Sequence, residues 1–92
     1  NVIKSANAQK LYKATEIACD SFYLYYINNN NELYYVDELL VYNKSENEIN
    51  SKGKKIIDEK VIEFLGQEHK EDGNYIKVLL ENGKVKYIKI QL

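Results

Sequence analysis

The chain has 92 residues, a net charge of −1, and is 45% hydrophobic and 29% charged, which fits one globular domain with a single core and excludes a disordered chain. Its 13 basic side chains are all lysine, and a near-neutral chain without arginine argues against nucleic acid, which is usually met by a clustered basic face. Cys19 is alone, which excludes an internal disulfide, and no run is long enough for a transmembrane helix. The chain begins at Asn1 without a Met and carries no signal peptide, as expected of a fragment or a processed product.

In chain order, residues 3–27 read as one long amphipathic helix free of Pro and Gly. Ala6, Ala8, Ala14 and Ala18 supply helix propensity. Leu11, Ala14, Ala18, Phe22 and Tyr25 recur at helical spacing and form one apolar stripe. Ile17 and Leu24 form a second, narrower line that shares a side with Lys13 and Asp20. Two stripes imply two neighbours. Asn28 to Asn31 end the helix, since Asn tolerates the left-handed backbone. Residues 32–36 are aromatic and β-branched, hence extended. Asp37 caps a short helix through Val41. Residues 43–53 are polar and irregular, the best candidate for a mobile surface loop.

Residues 54–65 fit either a helical period or a strand, with a strand expected near Val61 to Leu65. Residues 66–73 read as a charged turn. Asn82-Gly83 between two β-rich runs signals a hairpin. A two-residue loop pairs Glu81 with Lys84, Leu80 with Val85 and Val78 with Tyr87, leaving Tyr75 and Leu79 on the other face with Lys86 and Ile90. No internal repeat and no second domain are evident. The expected fold class is α+β, a long N-terminal amphipathic helix packed on a small antiparallel sheet. The helix covers about 3–27, a loop region about 28–60, and the antiparallel strands about 61–92.

Little in the sequence suggests a reaction. His69 sits among charged residues, and Cys19, on the flank of an apolar face, is expected to be a buried structural thiol rather than a nucleophile. One Cys and one His do not close a zinc site. Glu68, Glu71 and Asp72 lack the spacing of an EF-hand loop. The glycines form no phosphate cradle. The tyrosines near Phe22 to Tyr26 could bind a sugar but more often belong to a core. No catalytic residue, metal or cofactor is expected.

The segment SANAQKLYKATEIACDSFYLYY resembles the second half of the N-terminal helix of type IV pilins and type II secretion pseudopilins. There a segment of the form A-N-x-Q-x-L-x-x-A follows the membrane half of the helix, and Ser5, Ala6, Asn7, Gln9, Leu11 and Ala14 match it. Tyr34, Tyr35, Asp37, Glu38, Leu39 and Leu40 stand where the family has an aromatic stretch and a short helix. The resemblance implies a structural subunit of an extracellular pilus or pilus-like filament, concerned with adhesion, motility or secretion. Its partners would be other pilin subunits, met through the helix at Ile17, Leu24, Lys13 and Asp20, with a membrane met only through a missing N-terminal segment. The isolated domain would be a monomer. A single Cys forbids the disulfide of many pilins, and residues 75–92 lack the pseudopilin calcium ligands. A Gram-positive pilin fits these absences. The alternative is a small soluble protein-binding module of the inhibitor or immunity type, with an enzyme third.

Overall fold

The computed structural model describes residues 12–19, 23–36, 42–43, 48–49 and 51–90. These residues hold nine strands and no helix: β1 (Tyr12–Cys19), β2 (Leu24–Asn28), β3 (Leu33–Val36), β4 (Tyr42–Asn43), β5 (Glu48–Ile49), β6 (Lys54–Lys55), β7 (Val61–Lys70), β8 (Gly73–Leu80) and β9 (Val85–Ile90). They form two antiparallel sheets, one in the order β4-β5-β1-β2-β3-β6 and one in the order β7-β8-β9.

The expected α+β fold is therefore replaced by an all-β one, because the described residues of the expected helix, 12–19 and 23–27, build β1 and β2 and the residue before β2. The described members of the expected stripe do not share a face, Ala14 lying in one core and Ala18 and Tyr25 in the other. Ala14 pairs with Asn28 and Glu16 with Ile27, so Thr15 is the extra residue of a β-bulge. Its hydroxyl donates to the Ile27 carbonyl at 3.1 Å. A bulge reverses the in–out alternation, so Ala14 and Ile17 face one core and Ala18 the other. The helix expected after Asp37 lies outside the described residues, and only parts of the loop expected over 43–53 lie within them.

β2 has no alternation to show. Leu24, Tyr25, Tyr26 and Ile27 are all buried, as expected of a strand covered on both faces. On one face Tyr23, Tyr25, Ile27 and Leu33 pack against Val61, Ile76, Val78, Leu80, Ile88 and Ile90 of the second sheet. On the opposite face Leu24, Tyr26, Tyr34 and Val36 join Ala14 and Ile49 in a second core.

The asparagines make a hairpin rather than a helix cap. Asn28 N–H donates to the Glu32 carbonyl at 3.0 Å and Asn31 N–H to the Asn28 carbonyl at 3.0 Å. The Asn28 side-chain oxygen accepts the Asn30 and Glu32 amides at 3.0 and 2.9 Å. Asn31 takes the left-handed conformation at φ 60°, which Asn tolerates better than most residues. The β8–β9 turn repeats this plan. Leu80 N–H donates to the Lys84 carbonyl at 2.8 Å, Gly83 N–H to the Leu80 carbonyl at 2.9 Å, and Gly83 has φ 87°. The loop thus holds three residues, Glu81 to Gly83, with Gly in the left-handed position. The expected two-residue loop is corrected accordingly: Leu79 pairs with Val85, Val78 with Lys86 and Lys77 with Tyr87. The expected charged turn over 66–73 is also shorter, because β7 runs to Lys70 and only Glu71 and Asp72 turn the chain.

The two hairpins are copies of one plan. β2–β3 pairs Leu24 with Val36, Tyr25 with Tyr35, Tyr26 with Tyr34 and Ile27 with Leu33. β8–β9 pairs Ile76 with Ile88, Lys77 with Tyr87, Val78 with Lys86 and Leu79 with Val85. Each residue of the first has its counterpart 52 positions later, Leu24 at Ile76 and Val36 at Ile88. The first strands, β1 and β7, are both bulged, β7 at Ile62 and Leu65. They enter through loops of different length, so the strict offset belongs to the hairpins. The chain is a doubled β-meander, and the sequence reading without a repeat is corrected.

Two glycines rank the backbone constraints. At Gly83 an added Cβ would meet open space, so Gly83→Ala should cost only the left-handed backbone penalty, about 1 kcal/mol. At Gly53, with φ 73°, the Cβ would lie 2.2 Å from the Tyr35 carbonyl oxygen. Gly53→Ala should therefore lower the urea midpoint clearly more than Gly83→Ala. Equal midpoints would contradict the close approach of residue 53 to β3.

Candidate interaction surface

The outer face of β7–β9 is built by strict alternation along β8 and β9. Ile76, Val78, Leu80, Ile88 and Ile90 point into the core, which turns Tyr75, Lys77, Leu79, Val85, Tyr87 and Lys89 outward. The pairing sets these in cross-strand rows: Glu63–Leu79–Val85, Gly66–Lys77–Tyr87 and Glu68–Tyr75–Lys89. Val85 and Tyr87 are 53% and 52% exposed. The two bulge residues of β7, Ile62 and Leu65, are each 44% exposed. An added Cβ at Gly66 would meet nothing within 4 Å. That leaves a low place on β7 beside the exposed apolar side chains.

The aromatic part of this face is held in place. The Tyr75 and Tyr87 rings stack at 5.2 Å and 14°. Tyr75 donates its hydroxyl hydrogen bond to Asp72 at 2.7 Å and Tyr87 to Glu68 at 2.6 Å. The Lys70 ammonium lies 4.9 Å from the Tyr75 ring centre and 5.7 Å from that of Tyr87. Lys70 also pairs with Glu68 at 3.5 Å, and Lys89 with Asp72 at 3.4 Å. The Tyr87 hydroxyl, and then the charge of Lys70, hold the Glu68 carboxyl below its usual range. The Tyr75 hydroxyl does the same for Asp72. Conversely, bonding to these carboxylates pushes both phenols up, and the charge of Glu68 pushes Lys70 up.

A second feature is an open cleft of about 220 Å³ at the β2–β3 turn, lined by Tyr12, Lys13, Tyr26, Tyr34, Lys52 and Asn28 to Asn30. Tyr26 and Tyr34 stack at 5.4 Å, but both rings are buried. The Tyr26 hydroxyl donates to the Lys52 carbonyl, and burial pushes its pKa upward. The cleft therefore offers ring edges rather than open ring faces.

The residues singled out from the sequence are dispersed. Leu24 is buried and Ile17 half-buried in the same core. Lys13 pairs with Glu48 at 3.2 Å across β1 and β5, and Asp20 lies outside the described residues. Cys19 is exposed at the end of β1, which corrects the expected buried thiol, because the flank it was given belongs to a helix that does not form. His69 is exposed on β7, with its Nδ1 against the side-chain oxygen of the buried Asn74. Among the described residues no group of three or more His, Cys, Asp or Glu side chains is placed to hold a metal. No helix among them is long and apolar enough to cross a membrane.

No protein-family model, curated protein or solved structure matches this chain. Nothing in these comparisons points to a pilin. The resemblance drew on a helix where the described residues form strands, and Ser5, Ala6, Asn7, Gln9 and Leu11 of its motif lie outside those residues.

The phenol–carboxylate bonds give a pH signature. A raised phenol pKa means that the bonded state persists as pH rises past the ordinary phenol value, near 10, and is lost above the raised one. Glu68→Ala should return the Tyr87 titration toward that ordinary value while leaving Tyr75, bonded to Asp72, displaced. Ultraviolet phenolate titration with NMR assignment of each ring checks this. An unmoved Tyr87 would mean that Glu68 does not hold it.

Proposed function

We propose that the chain is a non-enzymatic interaction module whose β7–β9 outer face meets another protein. One observation carries this reading. Val85, Tyr87, Ile62 and Leu65 are about half exposed on one small sheet, beside two tyrosines fixed by stacking and by both hydroxyls. Exposed apolar side chains that cluster, rather than scatter singly, mark interaction sites. Tyrosine is favoured there because it covers much area while losing little rotamer freedom. The filament reading drew on a helix over residues 3–27, and the described residues of that segment form β1 and β2 instead.

A face reserved for a partner contributes little to the fold of its own chain. Val85→Asp should change stability by no more than about 0.5 kcal/mol. Tyr87→Ala, which loses an exposed ring stack, should cost about 1 kcal/mol or less. Tyr35→Ala, at the equivalent position but packed against the inter-sheet core, should cost about 2 kcal/mol or more. Urea melts of the three variants give the ranking.

The partner itself is sought with a photo-reactive residue at Val85 in the producing cells. A discrete adduct is expected, lost in the Leu79→Asp, Tyr87→Asp double variant and not formed from the same probe at Lys54. No adduct at Val85, or equal adducts from both positions, would end this reading.

A further inference from the structure

We infer that the outer face of β7–β9 is the seat of a further β-meander of the same kind as the two in this chain, docking through an aliphatic face. This rests on the interaction-module reading and names the class of partner.

The chain already contains one such docking. In the first meander the face that carries Tyr23, Tyr25, Ile27 and Leu33, with Tyr35 beside them, is covered by the aliphatic face of the second sheet. Moving 52 positions along, the same face of the second meander carries Tyr75, Lys77, Leu79, Val85 and Tyr87. It is the exposed face. The correspondence reaches single rings. Tyr23 and Tyr35 meet edge to face at 5.3 Å under their cover, and their counterparts Tyr75 and Tyr87 stack at 5.2 Å in the open. The edge agrees with the face: β6 pairs with the outer edge of β3, and among the described residues nothing pairs with the outer edge of β9.

A second copy of the chain does not fit the seat. The complementary surface is the aliphatic one, and in the chain it is already buried at Ile76, Val78 and Leu80, as is its counterpart in the first meander at Leu24, Tyr26, Tyr34 and Val36. The occupant is instead a third unit with its own uncovered aliphatic face. Lys77 stands where the first meander has Tyr25, and it has no ion partner among the described residues, so the occupant should place a carboxylate opposite it. Stacking of repeats, each covering its neighbour, is the general way in which units that do not bury their own faces become stable.

The test extends the full chain by repeating residues 41–92 directly after Leu92, which keeps the 52-residue spacing and supplies counterparts of β6 and of the aliphatic face. Tyrosine nitration is read by peptide mapping, and folding of the added unit by amide NMR. Nitration of Tyr87 is expected to fall about tenfold against the 92-residue chain, with the amides of β9 newly protected. Leu79→Asp with Val85→Asp should abolish that protection while β1–β3 stays folded. An added unit that folds without shielding Tyr87, or that stays unfolded on the folded chain, overturns the inference. The failures are separable. A Val85 adduct to a protein without such a meander overturns this inference and keeps the interaction-module reading, whereas no adduct removes that reading.

Discussion

The run from Leu24 to Ile27 is buried on both sides of its sheet, and a strand with two apolar faces needs two covers. One cover is the aliphatic side of β7–β9; on the other side Ala14, Ile49, Tyr34 and Val36 close around Leu24 and Tyr26. The remaining architecture serves that need. The bulge at Thr15 lets one strand supply Ala14 to one core and Ala18 to the other. A backbone bond between the sheets, Val61 N–H to the Asn31 carbonyl at 2.7 Å, and a side-chain bond from the Asn31 amide to the Glu81 carboxylate at 3.2 Å fix the second meander against the first. Glu16 adds a carboxylate acceptor for the Phe64 amide at 3.0 Å, where the bulges of β7 leave its ladder irregular.

The same double burial explains what the sequence hid. Period-2 alternation appears only when one face of a strand is wet, and β2 has no wet face. An apolar run of that kind looks the same in a buried helix, and β-branched or aromatic content has to arbitrate. Tyr23 to Ile27 has the aromatic and β-branched content of a strand, but the alanines upstream carried the reading of a helix. Of those alanines Ala14 and Ala18, four residues apart, would share a helix face; the bulge at Thr15 sends them to opposite cores instead. Where a strand is wet on one side the sequence was readable: Tyr75 to Leu80 alternates, the turn at Asn82-Gly83 is present, and Tyr75 and Leu79 do share the outward face. Their partners were misjudged by one residue, because Gly83 closes a three-residue loop and a one-residue slip exchanges the faces of β9. The repeat was nearly invisible. Of the paired hairpin positions only Tyr23 and Tyr75, Asn30 and Asn82, and Tyr35 and Tyr87 are identical, and pairs such as Tyr25 and Lys77 or Tyr34 and Lys86 share neither size nor polarity.

The sheet edges are treated differently at the two ends of the small sheet. β7 carries two bulges three residues apart, which break the regular row of backbone groups that a stray strand would need. β9 has no bulge, and Lys84, Lys86 and Lys89 lie at its start or along it. Lysines discourage unwanted pairing without removing the pairing groups. The edge next to the exposed tyrosines is therefore guarded by charge alone.

Each meander is contiguous in the chain, with short turns after Asn28, Lys70 and Leu80. Most of its pairings therefore close small loops, and contacts between residues near in sequence form quickly. During synthesis the β2–β3 hairpin is complete before any residue of β7 has been made. For that interval its aromatic face stands bare, as that of β8–β9 does in the finished domain. The nascent chain thus passes through a stage in which Tyr25 and Ile27 are the surface most open to chaperones or to misassociation, until Val61 to Ile90 arrive to cover them.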